Sequence, residues 1–263
     1  MTDKKKSVLF VVLAYALFWL MLIAGGAVLL SGNEELFLEI LPYVQIISTW
    51  APTFALLILF KKLYPGWTVK EFYKSAFRER LNLKILLGAT IAYSFINFGI
   101  VGVEAFTKEV SFLSLLDFSF FGFAVTFFSG ATGEESGWRG YLQPSMEKKH
   151  SVIKASFLVG IIWAFWHTLT WFISGFSGMD LVWYILLEIL SKISCAIIIG
   201  ICYSRCRNLL VPMWIHFVSN ILINWTQGVL IDHYIWYVLL EAIVAIGYML
   251  WYRIISKNEI AAV

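Results

Sequence analysis

Apolar residues run through this chain in blocks too long for the helices of a soluble domain. They occupy about 7–31, 36–60, 83–106, 112–142, 151–174, 181–204, 209–230 and 234–255. Each is near or above the ~20 residues that carry a helix across a ~30 Å hydrocarbon core. The pattern predicts an all-α polytopic membrane protein of about eight transmembrane helices in a single domain over 1–263. The first block follows Lys4, Lys5 and Lys6, as a signal peptide would. It is nevertheless about 24 residues long, against ~7–15 for a secretory apolar core, and reads as an uncleaved anchor. Between the second and third blocks, Thr68 and Glu71 have capping-box spacing, and Val69, Phe72, Tyr73, Ala76 and Phe77 recur opposite Lys70, Lys74 and Arg78. One interfacial amphipathic helix is expected there.

Composition narrows this picture. With 60% hydrophobic and 14% charged residues, a water-soluble fold is excluded, and 12 Trp suit many helix ends at a headgroup interface. The net charge of +3 implies no nucleic-acid partner. Its distribution matters more: all of the 20 Lys and Arg except Lys108, Arg139 and Lys192 fall on the side of the N-terminus. The positive-inside rule then puts both termini in the cytoplasm, as expected for a multi-pass protein of the cell membrane. Cys195, Cys202 and Cys206 share one stripe of a helix and read as buried thiols, a palmitoylated Cys206 being the alternative. No internal repeat suggests a duplicated transporter.

Ionisable groups inside a bilayer cost several kcal/mol unless paired or hydrated, so each marks a candidate site. The densest cluster is Gly133-Glu134-Glu135-Ser136-Gly137-Trp138-Arg139-Gly140-Tyr141. On a helix, Glu135 and Arg139 share a face and form an ion pair, whereas Glu134 lines up with Trp138 and Tyr141. Gly133, Gly137 and Gly140 make a third, small-residue stripe that admits a neighbouring helix beside Glu134. Crowding there suits Glu134 to general-base work. The structural alternative is a Thr132–Glu135 capping box after a break at Gly130. Two further clusters are His167, four residues after Trp163, and His216, four before Asn220. Together the three supply a base, a second proton carrier and an oxyanion donor pair, the minimum for amide hydrolysis.

The ordered set Glu134-Glu135-x-x-x-Arg139, Trp163-x-x-x-His167 and His216-x-x-x-Asn220 resembles the CPBP intramembrane endopeptidases, the family of CAAX prenyl-protein processing proteases and bacteriocin-processing or self-immunity (Abi) proteins. The resemblance covers a catalytic core of about 84–230, and Trp163 stands where the motif often has Phe. It implies that Glu134 and His167 activate a water, that His216 and Asn220 stabilise the oxyanion, and that Glu135 and Arg139 hold the site together. The substrate implied is a membrane-tethered or hydrophobic peptide, entering a cavity in the cytoplasmic half.

A metal-free reaction without cofactor is expected, because Asn220 suits an oxyanion donor better than a zinc ligand and the chain lacks a His-Glu-x-x-His pair. The alternative has zinc on Glu134, His167 and His216. Three rivals stand beside this reading. A serine dyad would use Ser177 of Gly175-Phe-Ser177-Gly178, but topology separates it from His216. A proton-coupled transporter would use Glu188–Lys192, Glu39, Glu104 and Glu241, the last three placed near helix ends. An inactive immunity or scaffold protein would keep the fold and motifs alone.

Overall fold

The computed structural model describes residues 2–225 and 231–261, and every apolar block within them folds as helix, with no strand among the described residues. Helix α1, Asp3–Leu30, starts at Thr2, whose side chain accepts from the Lys5 amide. Helices α2, Glu34–Thr49, and α3, Ala51–Ile58, meet at a 45° bend. Pro52 in the first turn of α3 has no N–H to continue the hydrogen-bond ladder of α2, which accounts for the break.

The interfacial helix is present as α4, Val69–Ala76, with both halves of the Thr68–Glu71 capping box formed. Its Phe72 is buried between Phe60 and Tyr64, with ring centroids at 5.8 and 5.1 Å. The Ala76 carbonyl accepts from the Leu209 amide at 2.9 Å, and the Asn208 carboxamide donates to the Glu79 carbonyl at 2.6 Å. The surface helix is thereby tied to the segment that leads into the His216 helix.

Helix α5, Leu83–Lys108, is capped by Asn82. The fourth apolar block is broken. It runs as α6, Phe120–Thr126, a π turn Phe127–Ala131, α7, Thr132–Gly137, a second π turn Trp138–Leu142, and α8, Gln143–Glu147. The remainder is α9, Val152–Trp166; α10, Thr168–Phe172; α11, Gly178–Cys206; α12, Leu210–Asn224; and α13, Ile231–Ala261. Helix α11 is the central post, with α9, α12 and α13 packed around it. Gly160 of α9 makes one close approach, since a Cβ there would fall 2.8 Å from the Ile193 Cα.

The all-α polytopic pattern is present: among the described residues four helices are long and apolar enough to cross a bilayer, five if α2 and α3 form one bent span. The remaining apolar blocks are irregular or short: α9 and α12 have 15 residues each, about 22 Å at 1.5 Å per residue, less than the ~30 Å core. The break in the fourth block falls at Ser129, φ −85° and ψ −123°, and not at Gly130. Thr132 forms no capping box with Glu135; its hydroxyl donates to the Phe127 carbonyl at 2.8 Å, which continues the π turn. Glu241, expected near a helix end, lies well inside α13 and is fully buried. All three cysteines are free and buried, and the Cys206 thiol donates to the Arg80 carbonyl, facing protein instead of lipid.

Candidate active site

Two π turns bracket α7 and turn its six residues inward, so that Glu134 and Glu135 are both buried. Single π turns of this kind arise where a helix must re-aim side chains, commonly at functional sites. The small-residue stripe does what its spacing implies. A Cβ on Gly133 would lie 2.6 Å from Trp50 Cδ1, and one on Gly137 would lie 2.6 Å from both the Pro52 Cβ and its carbonyl oxygen. Main chain therefore meets main chain where α7 crosses the start of α3.

Glu135 and Arg139 form the expected pair at 2.9 Å, with both side chains fully buried. Glu134 is not without partners. Its Oε2 accepts from the Trp138 indole at 3.0 Å and from the Trp163 indole at 2.6 Å. The first contact follows from the Glu134–Trp138 spacing. The second crosses from α9, and no local pattern announces it.

His216 on α12 is held by Glu135, with Nδ1 at 2.8 Å from Oε1. The ring also meets Trp163 edge-on at 4.9 Å. A carboxylate beside Arg139 accepts, so Nδ1 carries a proton, and Nε2 is the ring nitrogen turned away from Glu135. That nitrogen points at Gly130: a Cβ there would lie 3.0 Å from His216 Nε2 and 3.0 Å from Glu134 Oε1. The acid and the imidazole thus face the same bare Cα, at most twice that distance apart, in a spot that any larger residue at 130 would fill.

His167 closes α9, with Nδ1 2.8 Å from the Trp163 carbonyl and its ring against Trp166 at 4.7 Å. A carbonyl only accepts, so Nδ1 donates and Nε2 is the free nitrogen. His167 and Glu134 share no direct hydrogen bond; Trp163 joins them, with its carbonyl on one and its indole on the other. The same indole ring meets the Arg139 guanidinium at 4.9 Å and the Lys192 ammonium at 5.6 Å.

Beyond Trp163 lies a cavity of about 430 Å³ whose wall includes Asn220, Glu188, Lys192 and Glu241. The Asn220 carboxamide has no hydrogen-bond partner among the described residues and faces this space. The carboxylates beside it are already held. Glu188 pairs with Lys192 at 3.2 Å and accepts from the Tyr234 hydroxyl, while Glu241 accepts from Tyr93 at 2.9 Å and Ser191 at 2.7 Å. The Glu188–Lys192 pair was legible from its spacing, but the Glu241 network joins helices far apart in sequence. Glu39 is exposed, Glu104 pairs with Lys108, and Ser177 is an exposed residue before α11 with no histidine bonded to it.

The zinc alternative does not match the donors present. Among the described residues, no three His, Cys, Asp or Glu groups are arranged to hold a metal ion. Glu134 spends one oxygen on two indoles, and His167 spends Nδ1 on a carbonyl of its own helix. That leaves Glu134 Oε1 and the Nε2 atoms of His167 and His216 as the donors these side chains could offer, and they are not grouped as a three-ligand set among the described residues.

Residues 116–222, which hold all seven motif positions, match the family model described as type II CAAX prenyl endopeptidase Rce1-like. The chain is also 29% identical over 167 residues to CAAX prenyl protease 2 of Methanococcus maripaludis, a match that covers 57% of this chain and 62% of that protein. It thus spans under two thirds of that relative's length. Over the residues that build the acid, its ion pair, both imidazoles and the carboxamide, the chain is similar to the Rce1-like CAAX prenyl endopeptidases.

Proposed function

We propose that this protein is an intramembrane endopeptidase that cleaves a membrane-tethered peptide after a prenylated cysteine, without a metal. The observation that carries the reading is the shared approach of Glu134 Oε1 and His216 Nε2 to Gly130. A water at that spot loses a proton to Glu134, with His167 as the second proton carrier, and its oxygen attacks the scissile carbonyl carbon. His216 and Asn220 donate to the oxyanion as the tetrahedral intermediate forms. The carbon–nitrogen bond then breaks, and the proton held by Glu134 passes to the leaving amine. Donation from His216 Nε2 requires protons on both ring nitrogens, and Glu135 is the anion that faces the charged ring. Glu135 and Arg139 thus position the imidazole.

The substrate class rests on the family match, because prenylated C-a-a-X termini are what a CAAX endopeptidase is named for. Placement of the basic loops supports a site open toward the cytoplasmic half, with both termini on that side. The test is release of the terminal tripeptide from a farnesylated C-a-a-X peptide by the full chain in liposomes. Glu134→Gln and His216→Ala are expected to abolish release, while EDTA and phenanthroline leave the parent protein active. Activity that survives in Glu134→Gln, or zinc-restored activity after chelation, would overturn the respective half of the reading.

A further inference from the structure

Away from this site, two cavities meet at one corner of the bundle. A basic one of about 920 Å³ has Arg78, Arg80, Lys84 and Arg205 in its wall, with Glu79 the single acidic residue. A second, of about 660 Å³, runs between α5 and α13 and is lined by apolar residues such as Ile85, Val244, Trp251 and Ile255. Asn82, Lys84 and Arg205 belong to both walls, so the cationic mouth and the apolar groove are continuous. Two glycines open the groove: a Cβ on Gly247 would touch nothing within 4 Å, and one on Gly88 would meet only the Tyr248 hydroxyl at 3.9 Å. Lys84 and Arg205 are exposed at its rim.

We infer that this corner is a binding site for an anionic phospholipid, with its phosphate between Arg80 and Lys84 and one acyl chain along the groove. Three observations select this occupant. Glu79 pairs with Arg78 at 3.2 Å, and Arg80 and Lys84 add further positive charge to the mouth, so charge complementarity asks for a negative headgroup. The groove lies between two helices that qualify as membrane spans, where acyl chains are the surrounding solvent. The two parts also share side chains, which matches a molecule with a charged head joined to a hydrocarbon tail. The basic segment is, in addition, fastened to the proteolytic half of the fold: the Arg80 carbonyl accepts from Cys206, and the Glu79 carbonyl from Asn208, two residues before α12 begins.

The test is native mass spectrometry of the full chain, released from nanodiscs of phosphatidylglycerol and phosphatidylcholine in equal amounts. The parent protein is expected to retain phosphatidylglycerol at least fivefold over phosphatidylcholine. The Arg80→Glu, Lys84→Glu double variant should lose that preference. Gly247→Leu should lower retention of both lipids while the headgroup preference survives. Equal retention of the two lipids by the parent, or an unchanged preference in the double variant, overturns the inference. So does competition by glycerol phosphate as strong as that by intact lipid, which would mark a headgroup-only anion site. Circular dichroism of each variant confirms that the helices are kept.

Discussion

The Trp163 indole donates to Glu134 Oε2 at 2.6 Å across the contact between α9 and α7. A phenylalanine at this position fills similar space but offers no donor. This chain therefore fixes the carboxylate with one more hydrogen bond than an aromatic ring alone provides, and leaves Oε1 as the oxygen that faces Gly130.

Trp163→Phe is expected to lower kcat/KM about tenfold. A hydrogen bond to a charged group is worth ~1.5–3 kcal/mol, and ~1.4 kcal/mol is a factor of ten in rate. Trp163→Leu should lose more, since it also removes the ring under Arg139 and Lys192. Steady-state cleavage of a farnesylated peptide measures both, and parity of Phe with Trp would show that the indole N–H has no role.

Arg139→Ala should destabilise the fold by ~3–5 kcal/mol, the usual consequence of leaving one partner of a buried ion pair alone. Glu135 is fully buried and its Oε2 makes no hydrogen bond among the described residues. Adding Glu135→Gln to that variant should recover part of the loss. Thermal unfolding in detergent, followed by circular dichroism, reads both effects.

Gly137→Ala is expected to cost ~1–3 kcal/mol, as overpacking does. The added methyl would meet the Pro52 carbonyl, which is main chain and cannot swing aside. Gly140→Ala should be milder, because its methyl would meet the far end of the Phe72 ring at 2.9 Å. The order of the two midpoints is the measurement, and equal midpoints would contradict the main-chain argument.

The interfacial helix should loosen in acid. Hydrogen bonds from the Thr68 amide and hydroxyl hold the Glu71 carboxyl below its ordinary range. The stabilisation they bring is complete above the unfolded value, ~4.3. It disappears as pH falls through the lower folded value. Hydrogen-exchange protection of the Phe72 amide should drop over that window in the parent, and Thr68→Ala should show low protection at every pH.

Much of the site could be read from the chain because its first contacts are local. The Glu135–Arg139 pair, the Glu134–Trp138 alignment, the Glu188–Lys192 pair and the Gly133–Gly137 seam all follow from three- or four-residue spacing on a helix. What could not be read joins distant segments: Glu135 to His216, Trp163 to Glu134, Glu241 to Tyr93 and Ser191. Hydropathy also concealed irregularity. It presented 112–142 as one crossing, because an apolar count does not register the two π turns that re-aim α7.

The seam between α7 and Pro52 has a consequence for how this scaffold can diversify. Because backbone locates the acid, residues that line the chamber beyond Trp163, Asn220 apart, are free to change without displacing it. On the proposed function, preference among peptides can therefore drift through that chamber while the chemistry stays in register.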